Sequence, residues 1–473
     1  MMSIDWEREM EKRREELLER TKEFLAIESV LDESTAGSGA PFGKGVAEAL
    51  EYVLDLARRD GFVTKNLDGY AGHVEYGEGE ELIGILGHVD VVPPGDGWTT
   101  PPFSPDIRDG KLYARGAIDD KGPTMAAYFA LRLIKELGLP LSKRVRLILG
   151  TDEENLWRDM AYYFEREEMP TMGFAPDADF PIIYAEKGLL DITLVGDASD
   201  SEEEADEEVW TLARWEAGHR FNMVPDRSRA VLEGSGDVFS LKEKYQDFLL
   251  KNRIRGYAQE ADDHLLLVLE GRSHHGSEPD KGLNAGLEMA RFLNTITLDP
   301  EGSRFIRMIH DVLVDDFFGK RLGIAQEDDT VGPLTVNAGV FRYRRGGERK
   351  LGLNVRYPIR GNGEDIVKAV AERVRPYGLK IGETDHKPPH HIDPNHPLVR
   401  TLSRVYEERT GEKASLLAIG GGTYARALKN GVAFGPLFPG KEETAHQTDE
   451  NIEVEDLLKA AAIYAQAIYE LAR

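Results

Sequence analysis

The sequence predicts an α/β protein: a mixed, largely parallel sheet with helices on both faces, interrupted by an inserted α+β domain. Three observations carry this. From residue 80 to about 190, short apolar runs alternate with helical patterns, an order that builds parallel sheets. The candidate chemical residues of that stretch give way after it and resume only in the last 85 or so residues. At 473 residues the chain is also too long for one core, since domains hold about 100–200 residues. The predicted division is 1–192 with 385–473 as one discontinuous domain, and 193–384 as the insertion.

In chain order, MMSIDWEREMEKRREELLERTKEFLAIESV is densely charged where a signal peptide needs an apolar stretch, and it reads as one amphipathic helix. ELIGILG (81–87) and VRLILG (145–150) read as strands. Between them TMAAYFALRLIKELG carries apolar residues at helical spacing, with Pro123 near its start and Gly138 at its end. After GLLDITLVG, eight of the twelve residues 197–208 are acidic, which reads as a solvated loop held open by self-repulsion. In the insertion, HLLLVLE and LGLNVRY are strand-like. The C-terminal EDLLKAAAIYAQAIYELAR is a helix without an evident cap, its apolar face turned to the sheet.

Composition excludes several classes. Asp and Glu outnumber Lys and Arg by 85 to 59, a net charge of -26 that repels nucleic acid and anionic lipid. With no cysteine, disulfides, thiolate metal sites and thiol nucleophiles are impossible, which suits a cytoplasmic protein. No apolar run approaches the roughly 20 residues of a membrane span, so no membrane partner is expected. GSGAPFGKG near residue 40 fails as a phosphate loop: Gly39 and Gly43 enclose only three residues, and Gly45 stands where Ser or Thr is needed.

Four segments place His or carboxylate residues just after a strand-like run, the edge where open α/β sheets bind ligands. In GHVDVVP, His88 and Asp90 share one side of an extended backbone, so Asp90 is placed to accept the second ring N–H of His88. YARGAIDDKGP offers Asp119 and Asp120; singly, they read as helix-start acids. LILGTDEEN stacks Asp152, Glu153 and Glu154, which repel one another unless something cationic sits among them, and no basic residue follows until Arg158. GFAPDADFP adds Asp177 and Asp179, and GKEETAHQTDENIE adds His446 in a polar loop. Two imidazoles with at least three carboxylates form a donor set that zinc and manganese accept. It suits two ions about 3.5–4 Å apart, with one carboxylate bridging and a spare glutamate to take a proton from water.

Taken together, these five segments resemble the aminoacylase and carboxypeptidase superfamily of co-catalytic zinc peptidases, and within it the PepV-like bacterial dipeptidases related to carnosinase. The resemblance spans nearly the whole chain in order. It implies that Asp119 bridges, that His88 and Asp177 hold one ion, and that Glu154 and His446 hold the other, Zn2+ first and Mn2+ as the alternative. It makes Asp90 the support of His88 and Glu153 the general base that takes the water proton and later passes it to the leaving amine. GHRFNMVPD, GRSHHGSEP and LNVRYP resemble the dipeptidase lid, implying that His275 stabilises the oxyanion while Asn222 and Arg356 hold the substrate carboxylate; His274 is the bystander. GGGTYAR (420–426) resembles the glycine-rich substrate loop, with Gly422 and Thr423 as its contacts. Ala114, where a glycine often stands, departs from the pattern without touching a ligand.

The resemblance thus implies cleavage of free dipeptides by a monomer, since short-lid relatives dimerise through the lid and this insertion is long. An N-acyl amino-acid deacylase with the same ions is the nearest rival, because the ligands are common to both. A catalytically silent metal-binding protein is the rival of another class, and the retention of Glu153 speaks against it.

Overall fold

A computed structural model describes residues 4–196, 210–234, 236–261 and 264–473. The acidic stretch 197–208 lies outside the described residues. The chain divides into two compact units: Met1–Ala185 with His391–Ala418 and Thr423–Arg473, and Glu186–His390 with Ile419–Gly422.

The first unit is built on Leu82–His88, whose seven residues are all buried, the contiguous apolar run that a strand covered on both faces requires. Arg144–Gly150 runs parallel on one side, His88 opposite Gly150, and Met172–Ala175 runs parallel on the other. Gly431–Ala433, from the far end of the chain, continues the parallel set beside Met172–Ala175. Antiparallel strands Ala71–Tyr76 and Val63–Leu67 finish one margin.

Both faces are covered. Gly87 and Gly84 point to opposite faces because their positions differ by an odd number. A Cβ on Gly87 would stand 2.1 Å from Thr124 Oγ1 of the helix Lys121–Glu136, and one on Gly84 would meet Pro170 at 2.7 Å. That helix begins two residues ahead of Pro123, a position where the missing N–H costs nothing, and is followed by Gly138 at φ +58°. It packs on Val454–Ala472, which is buried almost all round rather than along one stripe and has no side-chain cap. The N-terminal segment is two helices, Trp6–Glu11 and Arg14–Leu25, not one. Arg13 leaves the helical region at φ -106°, ψ 3°, and its guanidinium takes the carbonyl of Glu9 at 2.5 Å.

The second unit is one antiparallel eight-stranded sheet with its own core, in which Trp215 is fully buried and donates Nε1–H to Ser228 Oγ at 2.8 Å. The helices Val238–Asn252, Ala285–Leu293, Pro300–Val312 and Gly363–Val374 belong to it. The chain enters along Gly188–Gly196 and leaves along Leu379–Lys387, and these two strands pair with each other. That pairing sets the crossings at Ala185/Glu186 and His390/His391, a few residues outside the expected 192 and 384. Among the described residues no helix is long and apolar enough to cross a membrane.

Candidate metal centre

The parallel strands deliver their C-terminal ends side by side, and the acidic loops that follow them converge there. His88 ends Leu82–His88, Glu153 and Glu154 follow Arg144–Gly150, and Asp177 follows Met172–Ala175. Asp119 precedes the helix Lys121–Glu136, and His446 lies in a loop at φ +62°. His88 is fully buried; the His446 side chain is 53% exposed and forms the outer wall.

Asp119 turns one oxygen to each imidazole. Its Oδ1 lies 3.1 Å from His88 Nε2 and its Oδ2 lies 2.9 Å from His446 Nε2. Asp177 Oδ1 stands 3.7 Å from His88 Nε2, and Glu154 Oε2 stands 3.0 Å from His446 Nε2. Three groupings able to hold an ion result: His88, Asp119 and Asp177; Asp119, Glu154 and His446; and His88, Glu153 and Glu154. Tetrahedral ligands bonded at about 2.0–2.2 Å lie about 3.3–3.6 Å from one another, so these separations are close to those of ligand atoms around a common cation.

Protonation argues the same way. His88 Nδ1 is 3.0 Å from the carbonyl of Asp90. A carbonyl only accepts, so Nδ1 carries a hydrogen, which leaves Nε2 as the nitrogen that would face an ion. Nε2 is buried and makes no hydrogen bond among the described residues, although a carboxylate faces it. Burial would lower His88, but Asp119, Asp177 and Asp90 outweigh it and hold it well above the usual histidine range, so the cluster attracts positive charge, as a proton or as a metal ion in its place. Burial pushes Glu153 well above the usual carboxylate range with help from Asp177, and pushes Glu154 to about 7 and Asp177 to about 6. Burial would lower His446, but Asp119 and Glu154 outweigh it and raise it to about 11. The donor set fits two divalent ions.

The other expected residues fall as follows. The carboxylate of Asp90 stands 3.5 Å from His88 Nδ1, farther than its own carbonyl, and accepts the amides of Glu153 at 3.2 Å and Glu154 at 3.1 Å. Asp120 binds the strand end instead, accepting His88 N–H at 3.1 Å and Thr124 Oγ1 at 2.9 Å. Asp152 is paired bidentately with Arg158 at 2.7 and 2.9 Å, so the expected three-way repulsion is between Glu153 and Glu154 alone. Asp179 belongs to none of the three groupings. Gly422 groups with the second unit and Thr423 with the first.

In the second unit, Asn222 and His275 are brought together. Met223 and His275 form an isolated antiparallel bridge, and Gly276 N donates to Asn222 O at 2.7 Å. Arg356 is 6% exposed, with Nε donating to Asn354 Oδ1 at 2.7 Å and Nη1 reaching the Gly420 carbonyl at 3.5 Å.

Three supporting groups escaped the sequence reading. Glu450, fully buried, accepts Arg115 Nη1 at 2.6 Å on one oxygen and the amides of Ile118 and Asp119 at 3.0 and 3.1 Å on the other. Asp159, also buried, accepts the amides of Thr151 and Asp152 and the hydroxyl of Tyr424. Tyr424 in turn sets its ring edge-on to His88, centroids 5.9 Å apart. Asp159 and Asp90 together thus hold the four amides leading into Glu154.

Residues 84–470 match the family described as "Peptidase family M20/M25/M40". The chain is similar to "Putative dipeptidase YtjP" of Bacillus subtilis (strain 168), 50% identical over 470 residues that cover 99% of this chain and 100% of that protein. It is also similar to a "Putative dipeptidase" of Staphylococcus epidermidis, 39% identical over 466 residues that cover 98% and 99% of the two chains. Its fold is that of an aminoacylhistidine dipeptidase from Vibrio alginolyticus, with TM-score 0.58 and 13% identity over 97% of this chain and 96% of the other.

Proposed function

The chain belongs to peptidase family M20/M25/M40, and from that we propose that it is a metal-dependent dipeptidase cleaving the peptide bond of free dipeptides. The observation that carries the ion assignment is Asp119, whose two oxygens face two different imidazoles. In this reading His88, Asp177, Glu154, His446 and Asp119 would hold two divalent ions, with His88 and Asp177 serving one, Glu154 and His446 the other, and Asp119 shared. Zinc is the proposed occupant and manganese the alternative.

When bound, the ions would supply Lewis acidity, lowering the pKa of a water and polarising the scissile carbonyl. Glu153 is the general base: its carboxylate takes a proton from the attacking water and passes it to the departing nitrogen. Asp90 steadies Glu153 through its amide. On the second unit, His275 donates to the oxyanion of the tetrahedral intermediate, while Arg356 and Asn222 take the substrate carboxylate. Gly422 and Thr423 complete the substrate contacts. A discontinuous catalytic domain, a lid, a monomeric state and cytoplasmic residence belong to the same proposal.

The test is hydrolysis by the metal-loaded protein of a panel of free dipeptides, N-acetylated dipeptides and N-acyl amino acids, beside Glu153→Ala. Cleavage confined to free dipeptides, lost on chelation and in Glu153→Ala with two ions still bound, supports the proposal. Cleavage of N-acyl amino acids alone would move the assignment to a deacylase. No cleavage with two ions bound would sink it in favour of a silent metal protein.

A further inference from the structure

His275 lies in a loop of the second unit that its neighbours fix from both sides. Val224 N donates to His274 O at 2.9 Å, and Gly276 N donates to Asn222 O at 2.7 Å. The approach is so close that a Cβ on Gly276 would stand 2.8 Å from the Asn222 carbonyl carbon. In this frame the Nδ1 of His275 faces Ser277, whose Oγ is 2.6 Å away and whose backbone N is 3.3 Å away.

The second contact decides what the first must be. A backbone N–H only donates, so Nδ1 offers a lone pair, and the hydroxyl of Ser277 donates to the same nitrogen. A neutral imidazole with a bare Nδ1 carries its hydrogen on Nε2. Charged groups beside the loop include Glu278, which senses both imidazoles, and Lys281, to which Glu278 is hydrogen-bonded. His274 contributes its carbonyl to the bridge, and its Nδ1 is buried without a hydrogen-bond partner among the described residues.

We infer that Ser277 is a positioning residue for the hydrolysis: it holds His275 as the Nε2–H tautomer, making the ring nitrogen opposite the loop a hydrogen-bond donor. This rests on the reading of His275 as the oxyanion donor. With the other tautomer, Nε2 would present a lone pair to an anion and the stabilisation would be lost.

The test uses the full-length, metal-loaded protein with 15N-labelled histidine. The His275 ring signals are identified by their loss in His275→Gln, and kcat and KM are measured for each variant. The expected wild-type spectrum at neutral pH has Nε2 protonated and Nδ1 bare. Ser277→Ala should give mixed tautomers and a kcat lower by about tenfold, the worth of one hydrogen bond of this kind, at nearly constant KM. Ser277→Thr, which keeps the hydroxyl, should restore both. A wild-type His275 protonated on Nδ1 overturns the inference without any variant needing to fold, and so does a Ser277→Ala protein with unchanged tautomer and kcat. Full turnover by His275→Gln would instead overturn the oxyanion role itself.

Discussion

Glu450→Gln should destabilise the first unit by about 3–5 kcal/mol, the usual cost of breaking a buried ion pair by neutralising one partner. The change keeps the shape of the side chain and removes its charge. Glu450 is fully buried, Arg115 is 2% exposed, and the two are joined at 2.6 Å. Two unit charges about 4 Å apart at an effective dielectric of about 20 attract by about 4 kcal/mol, which agrees with that range. A glutamine also has one accepting end where two are used, since the second oxygen holds the amides of Ile118 and Asp119. At about 2–4 °C per kcal/mol, the melting temperature should fall by at least about 6 °C. Asp119 loses its backbone anchor, so metal affinity, read by competition with a chelator, should fall by about 10- to 100-fold. Adding Arg115→Met removes the orphaned charge, and the double variant should be more stable than Glu450→Gln alone. A Glu450→Gln protein melting within about 1 °C of wild type, with unchanged metal affinity, would refute the reasoning.

Four further outcomes are expected. Tyr424→Phe takes a donor from the buried Asp159 carboxylate, which burial already raises to about 6, and should cost about 1.5–3 kcal/mol in chemical denaturation. Burial, with the positive charge of Arg146, lowers His73 to about 3, so folding keeps it neutral. The unfolded chain therefore binds the proton first as pH falls below about 6.5, and stability is lost on acidification; between pH 7 and 5 wild type should lose about 2 kcal/mol more than His73→Asn. Gly87→Ala would place a methyl 2.1 Å from Thr124 Oγ1 and 3.0 Å from Asp120 Oδ2, and should lower stability by about 1–3 kcal/mol with the far-ultraviolet spectrum unchanged. Removing the ions with a chelator should lower the melting temperature and re-adding Zn2+ or Mn2+ should restore it, since ligand at about 100 times its Kd stabilises by about 2.7 kcal/mol; no change in either direction would argue against a metal centre.

The parts of the site carried by strand ends were legible because a contiguous apolar run followed by His, Asp or Glu gives both the element and its exit. Leu82–His88 and Arg144–Gly150 place His88 opposite Gly150, and the next residues of each strand carry the chemistry. What stayed hidden were partnerships across the chain. Glu450 and Arg115 are 335 residues apart, and Tyr424 and Asp159 are 265 apart. Each reads alone as an ordinary polar residue, and nothing in local spacing announces that both will be desolvated together. Arg158 was seen, but its reach back to Asp152 depends on the turn between them. The break after Glu11 was equally invisible, because helical periodicity continues through Arg13 while the backbone does not.

The interleaving of Gly431–Ala433 beside Met172–Ala175 has a temporal side. On the ribosome Glu186–His390 of the second unit emerges as one stretch, and its last piece, Ile419–Gly422, also precedes the late strand of the first. At about 5–20 residues per second, roughly 250 intervening residues take about 13–50 s to synthesise. Throughout that interval Met172–Ala175 presents an unpaired parallel edge of the kind that recruits foreign strands. The nascent chain is most exposed to aggregation then, and a chaperone that shields this edge until residue 433 has emerged should raise the yield of soluble protein more than one supplied after release.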